Sequence, residues 1–107
     1  MEGLIAGRIC HFVLDAGDAE KINKRRSDAE LHMNIHRRNS NGVQVHVGNK
    51  VSEGDVYPMM IIRVWSQDSG LVNGKVFLDG NDDYWTLSVY FNEDIAKEHT
   101  WHWIPRV

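Results

Sequence analysis

Short apolar-rich runs recur along the chain and are separated by turn-forming residues. Their Val, Ile, Phe, Tyr and Trp side chains are typical of strands. The Asp79-Gly80 pair between two such runs indicates a tight antiparallel hairpin, because Gly accepts the positive φ that these turns need. Strict alternation of apolar and polar positions adds a short half-buried strand after the helical region. The predicted strands cover residues 8–14, 43–47, 59–65, 72–78, 84–91 and 100–104.

A polar region follows the first predicted strand and has the composition of a helix. Asp15 is expected to cap it, and Asp18 would lie beside the free amide groups of the first turn. Lys and Arg gather towards residue 26, where they suit the negative end of the helix dipole. A first helix is therefore predicted at about residues 16–26.

A second helix is predicted to begin directly after the first one. Ser27 and Glu30 have the spacing of a capping box, in which Ser bonds the free amides and Glu reaches back. The resulting helix would cover about residues 28–39, with Leu31 and Ile35 four positions apart and facing the core.

The order of these elements predicts a mainly β fold of the α+β class. We expect a small, strongly bent antiparallel sheet or barrel of five to six strands, with two helices inserted after the first strand. An open antiparallel sheet with the helices on one face is the alternative. The length of 107 residues corresponds to a single domain, 1–107.

Charge and cysteine content narrow the choice of partners. The net charge of −3 argues against a protein that coats duplex nucleic acid. The lone cysteine, Cys10, cannot form an intrachain disulfide, which favours a reducing cytoplasm. No apolar run approaches the roughly 18 residues of a membrane span, so no membrane partner is expected.

Several segments together resemble a group of small proteins of unknown function from tailed phages and prophages. The resemblance covers nearly the whole chain and departs from the group at residues 89–99 and at Ile104. It implies an origin in a phage genome and a place in the bacterial host cytoplasm, and it assigns no catalytic or binding residue. The segments that carry it most specifically are Ile22 to Arg26, Asn73 to Asp82 and the closing Trp101-His102-Trp103.

The residue types used in catalysis do not form a recognisable arrangement. Cys10 and His11 are adjacent on a strand and would point to opposite faces. Ser88 has no nucleophile elbow around it. His32 and His36 could reach one metal from a helix, but no third ligand is evident, and solvated histidines are the simpler interpretation. We therefore predict no enzyme, no metal and no cofactor.

A basic cluster and several tryptophans suggest a pocket for a small anionic ligand. The cluster consists of Lys21, Lys24, Arg25 and Arg26. Arg forms paired hydrogen bonds with phosphate, and Trp can stack on a base. This predicts a non-catalytic phage accessory protein that binds a nucleotide-like ligand and sequesters a host immune signal. The alternative is a protein–protein interaction or virion-associated module in which the tryptophans are interface or core, and a homo-oligomer is expected in both cases. The predicted ligand-binding residues are Asn23, Arg25, Arg26, His46, Asn49, Arg63, Asn81, Trp85, Trp101 and Trp103.

Overall fold

The computed structural model describes residues 1–39 and 48–106. Within these ranges five strands and one helix are present. The strand predicted at residues 43–47 lies outside the described residues. In chain order the elements are β1 (Ile9–Val13), α1 (Ala16–Asn39), β2 (Val56–Ser66), β3 (Leu71–Phe77), β4 (Asp83–Val89) and β5 (Thr100–His102).

The strands form one antiparallel sheet in the order β4-β3-β2-β1-β5. The sheet curls into a half-barrel with β4 and β5 at its two edges. Register shifts in the β2–β3 pair, between Ile61 and Arg63 and between Val64 and Ser66, mark irregularities of the kind that bend strands. The prediction of a strongly bent antiparallel sheet is confirmed in this form.

The prediction of two helices is wrong, because α1 runs through the expected break. Ser27 does not end the first helix: the side chains of Lys24 and Asp28 form an ion pair of 3.0 Å across this position. The flanking residues are good helix formers, and a Ser-x-x-Glu pattern caps a helix only where the backbone leaves the helical conformation. Leu31, expected to face the core, is 65% exposed.

The helix α1 starts where the sequence predicts it. Asp15 Oδ1 accepts a hydrogen bond of 2.7 Å from the Asp18 amide, and Asp18 Oδ2 accepts one of 3.0 Å from the Asp15 amide. These reciprocal bonds fix the first turn, so that Ala19 and Ile22 are directed into the core.

The core lies on the concave side of the sheet, under the first turns of α1. Phe12, Met59 and Trp101 are fully buried there. Gly74 permits close packing, because a Cβ at this position would collide with the Met59 sulfur. The indole Nε1 of Trp101 donates a 2.8 Å hydrogen bond to the Gly70 carbonyl, so this ring is satisfied inside the protein. The convex side of β2, β3 and β4 has no such cover in the described ranges.

Candidate functional site

Alternate residues of three neighbouring strands point to the convex side of the sheet. Tyr84 bonds the helix residue Asp18 and therefore faces inwards, so Asp83 and Trp85 on either side of it face outwards. Register pairs Lys75 with both Trp85 and Met60 on this side. The alternation is interrupted once, because the register shift between Ile61 and Arg63 puts both Ile62 and Arg63 on this side. We call the whole set the outer face: Met60, Ile62, Arg63 and Trp65 of β2, Asn73, Lys75 and Phe77 of β3, and Asp83, Trp85 and Leu87 of β4.

Large apolar side chains of the outer face are exposed to an unusual degree. Single exposed apolar residues are common, but several on adjoining strands form a contiguous patch of the kind that marks interaction sites. Ile62, Lys75 and Trp85 line a shallow hollow of about 120 Å³ within it. The exposed fractions are 63% for Trp85, 61% for Leu87, 50% for Trp65, 46% for Ile62 and 42% for Phe77.

A polar contact fixes one end of the outer face. The Asn73 side chain is only 9% exposed, and its Oδ1 accepts 2.9 Å hydrogen bonds from Trp65 Nε1 and from the Ser88 amide. The Arg63 guanidinium lies 4.0 Å from the Trp65 ring centroid in a cation–π contact. Trp65 is thus held in place although half of it is exposed.

The charges of the outer face carry both signs. Lys75 Nζ lies 3.6 Å from Asp83 Oδ2, and both side chains are about half exposed. Arg63 adds a second cation above Trp65. Because an exposed pair of this kind contributes little to stability, these groups remain available to a docked molecule.

The two arginines of the predicted basic cluster are bonded within the protein. Arg26 is 5% exposed and binds both oxygens of Asp82, with Nε and Nη2 at 3.0 and 2.9 Å. Arg25 bonds Asp82 at 3.1 Å and the Asp83 carbonyl at 2.6 Å. The hydrogen bonds from Arg26 are the main reason that the pKa of Asp82 is lowered. These two arginines join α1 to the β3–β4 turn.

Two other polar residues near this cluster, Asn23 and Asn49, also have internal partners. Asn23 bonds both the amide and the carbonyl of Val51, at 2.9 and 2.8 Å. Asn49 Nδ2 donates to Asp79 at 3.2 Å. Asn81 is exposed in the β3–β4 turn. His46 lies outside the described residues.

A second polar network joins α1, β4 and the segment before β5. Asp18 is 2% exposed, and its carboxylate accepts a 2.7 Å hydrogen bond from the Tyr84 hydroxyl and lies 2.8 Å from His99 Nδ1. The hydrogen bond with Asp18 is the largest cause of a raised pKa at His99. Burial and the same carboxylate raise the pKa of Tyr84. Asp15, Asp18 and His99 each place a potential ligand atom within 4.8 Å of the others, yet Asp18 is already satisfied by protein donors.

The ten predicted ligand residues are spread over separate places instead of one pocket. Arg63 and Trp85 lie on the outer face. Trp101 is in the core, and Trp103 packs edge-on against it at 4.9 Å and faces Arg8. The helix–turn region holds Asn23, Arg25, Arg26, Asn49 and Asn81.

The members of the outer face that were not predicted as ligand-binding residues are Met60, Ile62, Trp65, Asn73, Lys75, Phe77, Asp83 and Leu87. The signal that could have found them is the alternation in β4, where Trp85 and Leu87 alternate with Tyr84 and Thr86. Alternation assigns residues to two faces but does not say which face the helix covers.

No family model, no curated protein and no solved structure matches this chain. Within residues 1–39 and 48–106, no helix is long and apolar enough to cross a membrane. The outer face therefore has to be interpreted from its own chemistry.

Proposed function

We propose that the protein is a non-catalytic protein-interaction module, that the outer face is its docking surface, and that a second copy of the chain is its partner. The observation that carries the proposal is the group of five large apolar side chains, each 42–63% exposed, on three adjoining strands. Aromatic residues and Arg are favoured at such interfaces, and the outer face holds both.

The size of the patch suits a protein interface. Fully buried large side chains cover about 150–250 Å² each, so five half-exposed ones present on the order of 500 Å². A stable interface buries about 800 Å² on each partner, with an apolar centre and a polar rim. The five side chains would supply most of the centre, where Lys75 lies between Ile62 and Trp85, while Arg63 and Asp83 would lie towards the rim.

The charges support a second copy as the partner. A twofold interface brings the same surface of both copies together, so the surface must complement itself. The outer face has Lys75 and Asp83 side by side. A twofold rotation can therefore place the cation of one copy near the anion of the other.

Binding of a single-stranded nucleic acid or nucleotide is the second candidate function. The observation that favours it is that Arg63 stacks on Trp65 and Lys75 lies opposite Trp85, since bases stack on Trp and phosphates pair with cations. The aliphatic Ile62 and Leu87 on the same face favour protein. Sequestration of a host signal and a phage origin stay predictions within this second candidate.

Sedimentation velocity over a wide range of concentrations tests the proposal. The unaltered protein is expected to form a dimer, and Leu87→Glu is expected to abolish it, because a charge would be buried in the interface. Leu31→Glu is the matched control, since Leu31 is as exposed as Leu87 (65% and 61%) but lies on the helix.

A protein that stays monomeric at every concentration, or equal effects of the two substitutions, would refute the proposal. A titration with oligonucleotides and nucleotides, followed by tryptophan fluorescence, addresses the second candidate. Binding that weakens steeply with added salt would favour it.

A further inference from the structure

Asn73 lies at an irregular place in β3, the middle strand of the three that carry the outer face. The pairing of β3 with β4 shifts register between Val72 and Gly74, the two neighbours of Asn73. Such a shift leaves a residue outside the regular ladder of hydrogen bonds. On β4 the backbone of Ser88 has φ of 53°, and its amide donates a 2.9 Å hydrogen bond to Asn73 Oδ1. The Asn73 side chain therefore closes the sheet where its pairing is interrupted.

The same oxygen atom also holds an exposed side chain of the outer face. Asn73 Oδ1 accepts a second 2.9 Å hydrogen bond, from Nε1 of Trp65 on β2. An amide oxygen has two lone pairs, so it can accept both bonds at once. The Arg63 guanidinium lies 4.0 Å from the centroid of the Trp65 ring. The ring is thus bonded at its edge by Asn73 and contacted on its face by Arg63.

The second exposed tryptophan of the outer face is held differently. Trp85 is 63% exposed, against 50% for Trp65. Trp85 borders the shallow hollow, and among the described residues no polar contact like that of Trp65 holds its indole. A side chain that is ordered only on docking loses conformational freedom, whereas one that is already fixed loses little. Exposure alone would favour Trp85 as the main anchor, but the cost of ordering favours Trp65.

We infer that Asn73 is a positioning residue of the outer face, and that it makes Trp65 the residue on which docking of the second copy depends most. The inference rests on the proposed function and specifies which part of the outer face carries the affinity. Trp and Arg are the residue types that most often dominate binding, and Trp65 and Arg63 present both in a fixed arrangement. Asn73 itself is only 9% exposed, so it acts through Trp65.

A comparison of the two tryptophans tests the inference. The dissociation constant of the dimer is measured by sedimentation velocity for Trp65→Ala and for Trp85→Ala. Trp65→Ala should raise the dissociation constant at least about tenfold, as expected for a residue that dominates binding. Trp85→Ala should raise it less, although Trp85 is the more exposed of the two. An equal or larger effect of Trp85→Ala would overturn the inference.

A double-mutant cycle tests whether Asn73 acts through Trp65. Asn73→Leu removes the acceptor and keeps the side-chain size similar, while Trp65→Phe removes the donor and keeps an aromatic ring. Asn73→Leu should weaken the dimer about tenfold when introduced alone, but less than about threefold when Trp65→Phe is already present. A purely structural role through the Ser88 amide would give the same factor in both backgrounds, and that result would overturn the inference.

The outcomes separate this inference from the proposed function. A dimer that is abolished by Leu87→Glu but is unchanged by Trp65→Ala would support the proposed function and overturn the inference. Unaltered protein that stays monomeric at every concentration would refute both. If Asn73→Leu fails to fold because the Ser88 amide loses its partner, the comparison of Trp65→Ala with Trp85→Ala still decides.

Discussion

Replacing His99 with Asn removes a partner of buried Asp18 whose charge changes near neutral pH. His99 Nδ1 lies 2.8 Å from Asp18 Oδ2. The His99 backbone has φ of 56°, a left-handed conformation that Asn also tolerates. The substitution therefore removes the imidazole with little added backbone strain.

The expected loss of unfolding free energy in His99→Asn depends on how far the His99 side chain is exposed to solvent. A hydrogen bond between charged groups contributes about 1.5–3 kcal/mol. The His99 side chain is 41% exposed, and solvent screening reduces this contribution to about 1 kcal/mol. That amount corresponds to a shift of roughly 4–8 °C in Tm for a small domain.

The directions of the pKa shifts of His99 and Asp18 set the pH range in which their contact stabilises the protein. The hydrogen bond with Asp18 raises the pKa of His99, so its stabilisation is complete below its ordinary pKa of about 6.5 and is lost as pH rises through the raised value. Burial alone would raise the pKa of Asp18, but hydrogen bonds from His99, the Asp15 amide and Tyr84 outweigh it and leave it lowered. Its stabilisation is complete above about 3.9 and is lost as pH falls through the lowered value. The pair therefore stabilises most between these limits.

Urea unfolding of the unaltered protein and of His99→Asn checks this reasoning. The difference in unfolding free energy should be about 1 kcal/mol larger near pH 5.5 than near pH 9.5. His11→Asn, which leaves Asp18 and its partners intact, serves as the control. A difference that is the same at both pH values would refute the linkage between His99 and Asp18.

Arg26→Met should lower the unfolding free energy by about 3 kcal/mol in urea, because Asp82 loses its main partner in a partly buried site. Lys24→Met, at an exposed pair, should change the unfolding free energy by less than about 0.5 kcal/mol. Equal losses for the two variants would contradict the role of Arg26. Cys10, with its pKa raised to about 12 by burial, should react with a thiol reagent at pH 8 only after urea is added. Immediate labelling of the folded protein would contradict its burial.

The sheet could be predicted from the sequence because its signals are local. Asp-Gly after residue 78 and the alternation around Trp85 indicate strands and turns without knowledge of their partners. The helix break at Ser27 was wrongly predicted because a capping pattern describes a possible end, and the surrounding residues decide whether the helix continues.

The candidate site was harder to predict, because its members depend on long-range contacts. The sequence suggests that the Arg26 guanidinium is free to bind an anion, but the carboxylate of Asp82, 56 positions later in the chain, already binds it. Trp101 and Trp85 have the same side chain, yet one is fully buried and the other is 63% exposed. Only the packing of α1 on the concave side decides which tryptophan meets solvent.

The strand that comes first in the chain lies between β2 and β5 in the sheet, and this position has a kinetic consequence. His11 pairs with His102, and such non-local pairing slows folding. During synthesis the second edge of β1 can pair with β5 only after residue 102 has been made. Until then the Trp101 ring is missing from the core, so a nascent chain shortened before β5 should be a better target for chaperones and proteases than the finished domain.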